Sequence, residues 1–477
     1  MLVYGVIPLP AVASFPGELI EQAISQTGAA GRRRRLLPAA AVMMFVLGCC
    51  LFYGEGYREV ARKLSGQLAP LAGPGGWRVP GSAALARARQ RLGPAPFAAL
   101  FALLAGPMAG PWAPGGYAFG RLLVAVDGTT LDVPYTPANL AAWGPPHGGS
   151  HGTGGYPQVR LVTAAGCGSR ALADAVFGPG WRKGHGEQAL AIRLAARGAL
   201  RAGMLVLADR NFCGHNVVTA LTAAGADVLI RVKSVNKLPV LALLPDGSYR
   251  SVLPDPQATA RRVHRNGKRR RTGSKLPPDP YTLQGIPVRV IEADITTTPA
   301  RGQPRTQRYR LITTILDPAE APATQIAAAY AQRWEAETGY QELKTFLRGP
   351  RRVLRSTTPA GVEQETWALL CTAQIIHATR AHTADRPGCD PDRISFTVTL
   401  RATRRRLTTG QTRSDTILEI LTQTLPPKRR RRTYPRAPHA TTNCRRKLAA
   451  THAGPVTYTI TIARPPPPPS PDRQPLK

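Results

Sequence analysis

The 477 residues of this sequence allow about two to four domains with a sizeable core. Lys and Arg number 63 against 28 Asp and Glu, a formal net charge of +35, so a polyanion is the expected partner: nucleic acid first, an anionic membrane second. The seven cysteines are odd in number, scattered and without a CxxC pair, which argues against zinc knuckles or a disulfide framework and favours a reducing cytoplasm.

The amino-terminal region, residues 1–115, is predicted to be helical. Its apolar stretch 36–53 carries no charge and follows an arginine run, a pattern shared by membrane spans and buried helices. Pro38 and Gly48 interrupt the stretch and no second span follows, so we favour a buried helix. Residues 2–13 are apolar like a signal peptide but lack a positively charged start, so secretion is not expected.

Two amphipathic helices are predicted at 56–64 and 81–93. The second carries Arg87 and Arg91 one turn apart on its polar face. Two short helices with a Gly- and Pro-rich join between them could form a module that reads DNA. A solvated helix face explains the same arginines equally well, so the sequence leaves both interpretations open.

From residue 121 the pattern changes to that of an α/β domain. Continuous apolar runs of the buried-strand type alternate with helical segments, which indicates a central sheet covered by helices. The predicted strands are 121–126, 157–165, 171–177, 204–209 and 226–232, and the predicted helices are 187–200 and about 215–224.

The segment from 233 to about 315 is predicted to be a β-rich insertion, because turn signals separate its strand-like runs. It also carries the basic run 261–271. The two clearest strand-like runs are 286–293 and 308–315.

The carboxyl-terminal part is predicted to be helical at first and then irregular. Helices are expected at about 323–347 and 362–382. The tail from about 405 onward contains a KRRRR run at 428–432 and five prolines at 465–469, so it is expected to be disordered.

Two predicted buried strands end in aspartate. Asp127 follows the run 121–126, and Asp209 closes the run 204–209. An acidic group at the carboxyl end of a buried strand faces a crevice, the usual position of a site in an open sheet. A single such aspartate more often caps a loop, so the pair gains meaning only with a third carboxylate.

A third carboxylate, Glu337, lies on the helix predicted at 323–347. At about 100° per residue, Tyr330, Arg333, Glu337 and Lys344 share an arc of about 60°. This arrangement is either a simple ion pair on a solvated face or part of a site. Three carboxylates from two strands and a helix could hold two divalent cations, Mg²⁺ or Mn²⁺, which assist phosphodiester cleavage.

Two further glutamates lie on the other side of the same helix. Glu335 and Glu342 fall almost opposite to Glu337 on the helical wheel. Their replacement by Gln is therefore expected to leave cleavage nearly intact.

The spaced residues resemble a known family. The signature Y-x2-R-x3-E-x6-K fits at Tyr330, Arg333, Glu337 and Lys344, and it follows the shorter motifs DGT and DRNF, which contain Asp127 and Asp209. Together they resemble the Asp-Asp-Glu transposases of bacterial insertion sequences, insertion-sequence-four type. The resemblance covers roughly residues 36–400, including the stretch DPDRISF at 390–396. One departure is Asn211, where the family usually has Gly, although Asn also tolerates left-handed backbone geometry.

The resemblance implies an α/β fold with an RNase H-like catalytic core. The core would span 118–382 with the β-rich insertion at about 233–315. A small helical domain, 1–115, would precede it and bind DNA, and a basic, partly disordered region, 383–477, would follow it.

The resemblance also implies roles for the site residues. Asp127, Asp209 and Glu337 would be catalytic and would bind two Mg²⁺ or Mn²⁺ ions. Arg333 and Lys344, with Tyr330, would grip the DNA backbone. The protein would act as a homodimer on double-stranded DNA, cutting the inverted repeats at transposon ends and joining them to target DNA. It would work in the cytoplasm at the nucleoid, without a membrane.

Two other classes of protein stay open from the sequence. One is a catalytically inactive relative that only binds DNA, which the intact Asp127, Asp209 and Glu337 argue against. The other is a membrane-anchored basic protein built on residues 36–53, which cell fractionation would distinguish.

Overall fold

The structure is a computed structural model. It describes residues 16–30, 37–71, 77–106, 113–145, 155–233, 236, 238–258, 284–298, 303–350, 352–384, 390–422 and 457–463. The apolar stretch 2–13, the basic runs 261–271 and 428–432, and the prolines at 465–469 lie outside the described residues.

Helices dominate the amino-terminal and carboxyl-terminal parts of the described chain, and most strands lie between them. The helices are α1 Gly17–Gln26, α2 Ala39–Leu51, α3 Tyr57–Lys63, α4 Ser65–Leu68, α5 Ser82–Leu92, α6 Ala95–Leu104, α7 Pro137–Trp143, α8 Glu187–Ala196, α9 His215–Ala223, α10 Ala323–Ala329, α11 Trp334–Gln341, α12 Pro359–Ala384, α13 Phe396–Thr409 and α14 Arg413–Thr422. The strands are β1 Tyr117–Ala118, β2 Arg121–Asp132, β3 Gln158–Gly166, β4 Leu172–Pro179, β5 Met204–Ala208, β6 Asp227–Arg231, β7 Ala242–Leu243, β8 Tyr249–Pro254, β9 Gly285–Thr298, β10 Arg305–Thr313 and β11 Thr457–Ile462.

The described residues fall into two compact units. The first unit draws its residues from Met1–Tyr117, Val124–Leu194 and Glu335–Arg429. The second unit draws its residues from Ala118–Leu123, Ala195–Trp334 and Arg430–Lys477.

The first unit packs helices against an antiparallel sheet. In this sheet β3 pairs with β2 on one side and with β4 on the other. One hydrophobic core contains Phe45 and Leu100 of the amino-terminal helices, Val159 of β3 and Leu369 of α12. The described amino-terminal helices therefore share their core with the sheet, and their existence as a separate domain stays a prediction.

Helix α2 confirms the buried-helix interpretation of the stretch 36–53. Eleven of its 13 residues are buried, and its apolar side chains cover every face. A short helix that is apolar all round belongs inside a core. Of the helices that the structure describes, none is long and apolar enough to span a membrane.

The second unit combines a parallel pair of strands with the β-rich insertion. Strands β5 and β6 are parallel, with α9 as the crossover between them. Antiparallel strands then continue the sheet in the order β6–β10–β9–β8–β7. Strands β9 and β10 confirm the runs predicted at 286–293 and 308–315.

The tail corrects the prediction of disorder from about 405 onward. Residues up to Thr409 belong to α13, and α14 follows, joined to it by a small core of Ala384, Ile394, Ala402 and Ile420. Strand β11 pairs antiparallel with β9. Because its alternating Tyr and Ile side chains suit a half-buried strand, this short segment is ordered despite its basic and proline-rich flanks.

Candidate active site

Asp127 lies within a strand instead of at its end, which corrects the prediction that the strand stops at 126. Strand β2 continues to Asp132, and its ladder with β3 pairs Asp127 with Thr163 and Asp132 with Gln158. The threonines after Gly128 favour the extended backbone, so they carry the strand onward. The buried apolar run does end at 126, and Asp127 itself is half-buried.

Tyr340 ties the helix of Glu337 to the strand of Asp127. Its hydroxyl donates to the Asp127 carbonyl oxygen at 2.5 Å. It also lies 2.9 Å from the Thr163 hydroxyl, which therefore donates to the tyrosine oxygen. Burial and the charges of Asp127 and Glu187 raise the pKa of Tyr340, so the hydroxyl keeps the proton that this contact needs.

Lys344 makes a second contact between the same helical stretch and the same strand. Its Nζ lies 3.2 Å from the Thr129 hydroxyl oxygen. Thr129 is two residues after Asp127, so both side chains point to the same face of β2. Glu337, Tyr340 and Lys344 are three and four residues apart, the spacing that places side chains on one face of a helix. Glu337 is half-buried on the helix that these two contacts hold against β2, and its place in a site with Asp127 stays a prediction.

Glu187 is an additional carboxylate beside the DGT motif. A Cβ atom on Gly128 would lie only 2.6 Å from Glu187 Oε1, so Gly128 is the residue that leaves room for this side chain. Glu187 begins α8, where the helix dipole favours a negative charge. Gly128 points to the face of β2 opposite to Asp127, so Glu187 approaches the strand from the other side.

Asp209 directly follows β5 in the second unit, as predicted. Its Oδ1 accepts a hydrogen bond from the Asn211 backbone N–H at 2.7 Å, and its carbonyl accepts one from the Phe212 N–H at 3.1 Å. These bonds close a tight turn that orients the carboxylate. Asn211 does not use a left-handed backbone, so the family's usual Gly is not needed for this turn.

Tyr330 and Arg333 are also in the second unit, and both are buried. The Tyr330 hydroxyl donates to the carbonyl of Ala208, the residue before Asp209, at 3.2 Å. The Arg333 guanidinium lies 5.2 Å from the centre of the Trp334 ring. Burial is the main cause that raises the pKa of Tyr330, and the charge of Asp209 adds to it. The DNA-binding roles of Tyr330 and Arg333 stay predictions.

The helix predicted at 323–347 departs from α-helical winding in two segments after α10. Residues Tyr330–Arg333 form a 3₁₀ turn, α11 follows, and Glu342–Leu347 form a π-helix. In a 3₁₀ turn residues three apart eclipse each other, so Tyr330 and Arg333 face the same way. π-helical segments are rare and often occur at functional sites. The signature residue Lys344 lies inside this π segment.

The glutamates on the back of the α11 stretch form buried ion pairs, and the effect of their replacement on cleavage stays a prediction. Arg170 Nε donates to Glu335 at 2.6 Å, its Nη1 donates to Glu342 at 2.7 Å, and a third bond reaches Asp392. We call these four residues the Arg170 cluster. Their side chains are between 4% and 6% exposed, so removal of either glutamate would break one of the guanidinium bonds of Arg170 inside the first unit.

The donor chemistry of the predicted site fits a divalent metal ion. The three predicted ligands are carboxylates, which Mg²⁺ and Mn²⁺ prefer. Asp127 Oδ1 and Asp209 Oδ1 each accept a backbone N–H, which fixes the orientation of the carboxylate. Within the described ranges, however, no three His, Cys, Asp or Glu side chains form a group that could hold a metal ion. The metal site therefore stays a prediction.

Sequence reasoning missed Tyr340, Glu187 and Arg170. Tyr340 carries a local signal, because it lies one helical turn after Glu337. Glu187 has only an indirect signal, the glycine at 128. Arg170 has none, since its partners Glu335 and Glu342 are distant in the sequence.

Two family models match the chain. The model of the insertion element 4 transposase N-terminal region matches residues 11–102, and the model of the transposase DDE domain matches residues 118–375. The transposase InsG for insertion sequence element IS4 from Escherichia coli K12 is 26% identical over 439 residues, which cover 88% of this chain and 89% of that protein.

A solved structure of the piggyBac transposase synaptic complex with hairpin DNA shows a weak likeness. It has a TM-score of 0.41 and 11% identity, and covers 94% of this chain and 85% of that chain. A likeness at this level supports no conclusion. The match to the DDE domain spans more than half of the sequence, and with the amino-terminal match it shows that the chain belongs to the transposase DDE domain family, insertion-sequence-four type.

Proposed function

We propose that this protein is a DNA transposase that cuts the inverted repeats of an insertion sequence and transfers the freed strand to target DNA, with Asp127, Asp209 and Glu337 as its catalytic carboxylates. The observation that carries the proposal is the contact of Tyr340 with the Asp127 carbonyl. It brings the helix of Glu337 against the strand of Asp127 within one compact unit. The Lys344–Thr129 contact adds a cation on the same face.

The fold supports an RNase H-like core. Three antiparallel strands, β2 to β4, lead into α8, and the parallel pair β5–β6 follows with its crossover helix α9. Asp127 lies in a strand, Asp209 directly follows one, and Glu337 lies on a later helix, after the β-rich insertion. This order agrees with the catalytic domain predicted at 118–382.

Two Mg²⁺ or Mn²⁺ ions are the proposed cofactors. When bound, such ions supply charge stabilisation and an activated water for phosphodiester cleavage. Asp127, Asp209 and Glu337 would hold them. The chain's own contribution is orientation: backbone N–H groups fix the carboxylates of Asp127 and Asp209, and Tyr340 fixes the strand at Asp127.

Double-stranded DNA is the proposed substrate, and the chain would act as a homodimer on it. The net charge of +35 favours a polyanion. Lys344 offers a point charge to a phosphate, and Arg333 offers a planar fork. Arg87 and Arg91 are exposed on α5, which supports a DNA contact by the amino-terminal helices. The nucleoid is the expected location.

The test compares cleavage with binding. Asp127→Asn, Asp209→Asn and Glu337→Gln keep the side-chain shapes but remove the charges. Each should abolish Mg²⁺-dependent cleavage of a terminal-repeat duplex, whereas a gel shift should show that end binding persists, because phosphate contacts supply most of the affinity. Appreciable cleavage by any variant would remove that residue from the site. Affinity should also fall with salt, with a log–log slope of about −0.9 per phosphate contacted.

A further inference from the structure

The Arg170 cluster lies behind the helix that carries Glu337. Arg170 stands in the turn between β3 and β4 and bonds Glu335, Glu342 and Asp392 with its three guanidinium nitrogens. All four side chains are buried. None of them belongs to the family signature, so the signature does not explain the cluster.

The cluster contains two unfavourable features. Arg170 has a φ of 63°, a left-handed backbone that residues other than glycine rarely adopt. Glu342 Oε2 is buried and has no hydrogen-bond partner among the residues that the structure describes; it lies 3.9 Å from His377 Nδ1. Each feature costs free energy, and a buried ion pair is often no more stabilising than apolar side chains of the same volume. Stability alone is therefore a poor explanation for the cluster.

The geometry gives a better explanation. Glu335 and Glu342 are seven residues apart, so they lie on one side of the helical stretch, and Glu337 lies about 200° around from Glu335. One guanidinium holds both anchoring glutamates. Two anchors on one side of a helix fix its rotation and prevent it from sliding along its axis.

A second arginine, Arg380, holds the Arg170 cluster in place. Arg380, on α12, lies 3.4 Å from Glu342 Oε1 and donates to the carbonyls of Pro391 and Ile394. In the sequence, Asp392 lies between Pro391 and Ile394, and its carboxylate accepts a hydrogen bond from Arg170. The DPDRISF stretch thus joins the cluster to α12, the buried helix at the centre of the first unit's core.

We propose that Arg170 is a positioning residue. It fixes the rotation of the helix about its axis and thereby the direction in which Glu337 points toward the site. The inference rests on the proposed role of Glu337. A displacement of about 1 Å at a reacting group costs on the order of 100-fold in rate, so a small rotation of this helix matters.

The experiment compares two buried glutamates of the first unit. Glu335→Gln weakens the Arg170 cluster and keeps the side-chain volume. The matched control is Glu365→Gln, because Glu365 is equally buried on α12 and accepts from the Tyr53 hydroxyl at 2.7 Å and the Ser356 N–H at 3.0 Å. Arg170→Lys, which keeps the charge but loses the fork, is the third variant.

Three measurements are made at a temperature at which circular dichroism shows every variant folded. They are end binding by gel shift, single-turnover cleavage of a terminal-repeat duplex, and Mn²⁺ binding by electron paramagnetic resonance on a complex with a pre-cleaved end. The last measurement reports the site without turnover.

Glu335→Gln should reduce the cleavage rate about tenfold or more and weaken Mn²⁺ binding several-fold, with end binding unchanged. Arg170→Lys should fall between this variant and wild type. Glu365→Gln should keep both the cleavage rate and Mn²⁺ binding within about twofold of wild type.

Equal cleavage and equal Mn²⁺ binding by Glu335→Gln and Glu365→Gln would overturn the proposal, because the cluster would then be structural only. Glu337→Gln is run alongside to separate the two ideas. If Glu337→Gln still cleaves, the proposed catalytic role fails; if it does not cleave but Glu335→Gln does so normally, only the positioning role fails.

Discussion

The two faces of the helical stretch around Glu337 place the same type of side chain in opposite environments. On the front, Glu337 is half-buried beside Tyr340 and Lys344, which contact the strand of Asp127. On the back, Glu335 and Glu342 are buried against Arg170. A carboxylate that a buried guanidinium holds is shielded from solvent, whereas one at a half-open face can still bind a cation.

A helical wheel assigns these glutamates to the correct faces of the helix, but it does not show whether a face contacts solvent or the protein interior. The wheel places Glu335 and Glu342 opposite to Glu337, and the structure agrees. The opposite face is the protein interior, however, so its glutamates position the helix instead of facing solvent. Activity and stability should therefore depend on different faces.

The largest effect is expected from Glu337→Gln. Cleavage should fall by about 1,000-fold or more, because a carboxylate of the site is lost. The urea midpoint should stay close to that of wild type, since Glu337 is half-buried and the change is isosteric. Cleavage assays and urea unfolding of the same preparation measure both. A variant that loses cleavage only in proportion to lost stability would contradict the division between the faces.

The back face should show the opposite pattern. Arg170→Met leaves three carboxylates buried without their main cation, so the free energy of unfolding should fall by about 3–5 kcal/mol. Arg62→Met is the control, because its ion pair with Glu59 is exposed and should contribute nothing measurable to stability. A midpoint for Arg170→Met equal to that of Arg62→Met would show that the cluster contributes little to folding.

The regular parts of the fold could be predicted from local sequence. Strands β5, β6, β9 and β10 and helices α2, α8 and α9 form where apolar periodicity and turn residues indicate them, because each pattern depends on neighbours within about ten residues. The Y-x2-R-x3-E-x6-K spacing indicates the helix of Glu337 for the same reason.

The parts that the sequence could not predict depend on distant partners. Arg170 sits in a glycine-rich turn, and nothing near it signals contacts with Glu335, Glu342 or Asp392. Strand β11 is ordered by pairing with β9, more than 150 residues earlier, although its flanks have the composition of a disordered tail. The extent of β2 past Asp127 likewise depends on its ladder with β3.

A smaller effect is expected at the contact between helix and strand. Tyr340→Phe removes the hydroxyl that bonds the Asp127 carbonyl and the Thr163 hydroxyl, which should lower the free energy of unfolding by about 1 kcal/mol. Cleavage should also fall several-fold, because the strand of Asp127 keeps only the Lys344 contact with the helical stretch. Tyr53→Phe is the control, since its buried hydroxyl bonds Glu365 instead. Equal cleavage by the two variants would mean that the Tyr340 contact is structural only.

The smallest effect concerns the alkaline pH dependence of end binding. Burial and the nearby charge of Arg348 lower the pKa of Lys344, and the weaker attraction of Asp132 does not offset them. As the pH rises, Lys344 therefore loses its charge earlier than an ordinary lysine does. If that charge contacts a phosphate, affinity for a terminal-repeat duplex should fall as the pH passes this lowered pKa. Lys344→Arg keeps its charge throughout this range, so its loss of affinity should begin at a higher pH.

Stability should move in the opposite direction over the same pH window. A lysine whose pKa is lowered by folding binds fewer protons in the folded state than in the unfolded state between the two pKa values. The cost of burying its charge is complete below the folded pKa, falls as the pH rises from the folded to the unfolded pKa, and is gone above the unfolded pKa, so the contribution of Lys344 to the free energy of unfolding increases over this window. Gel shifts and urea midpoints at the same pH values measure both trends. If wild type and Lys344→Arg lose affinity over the same pH range, the charge of Lys344 does not contribute to DNA binding. A parallel fall of stability and affinity would instead assign the pH effect to partial unfolding, because titration of Lys344 cannot produce both.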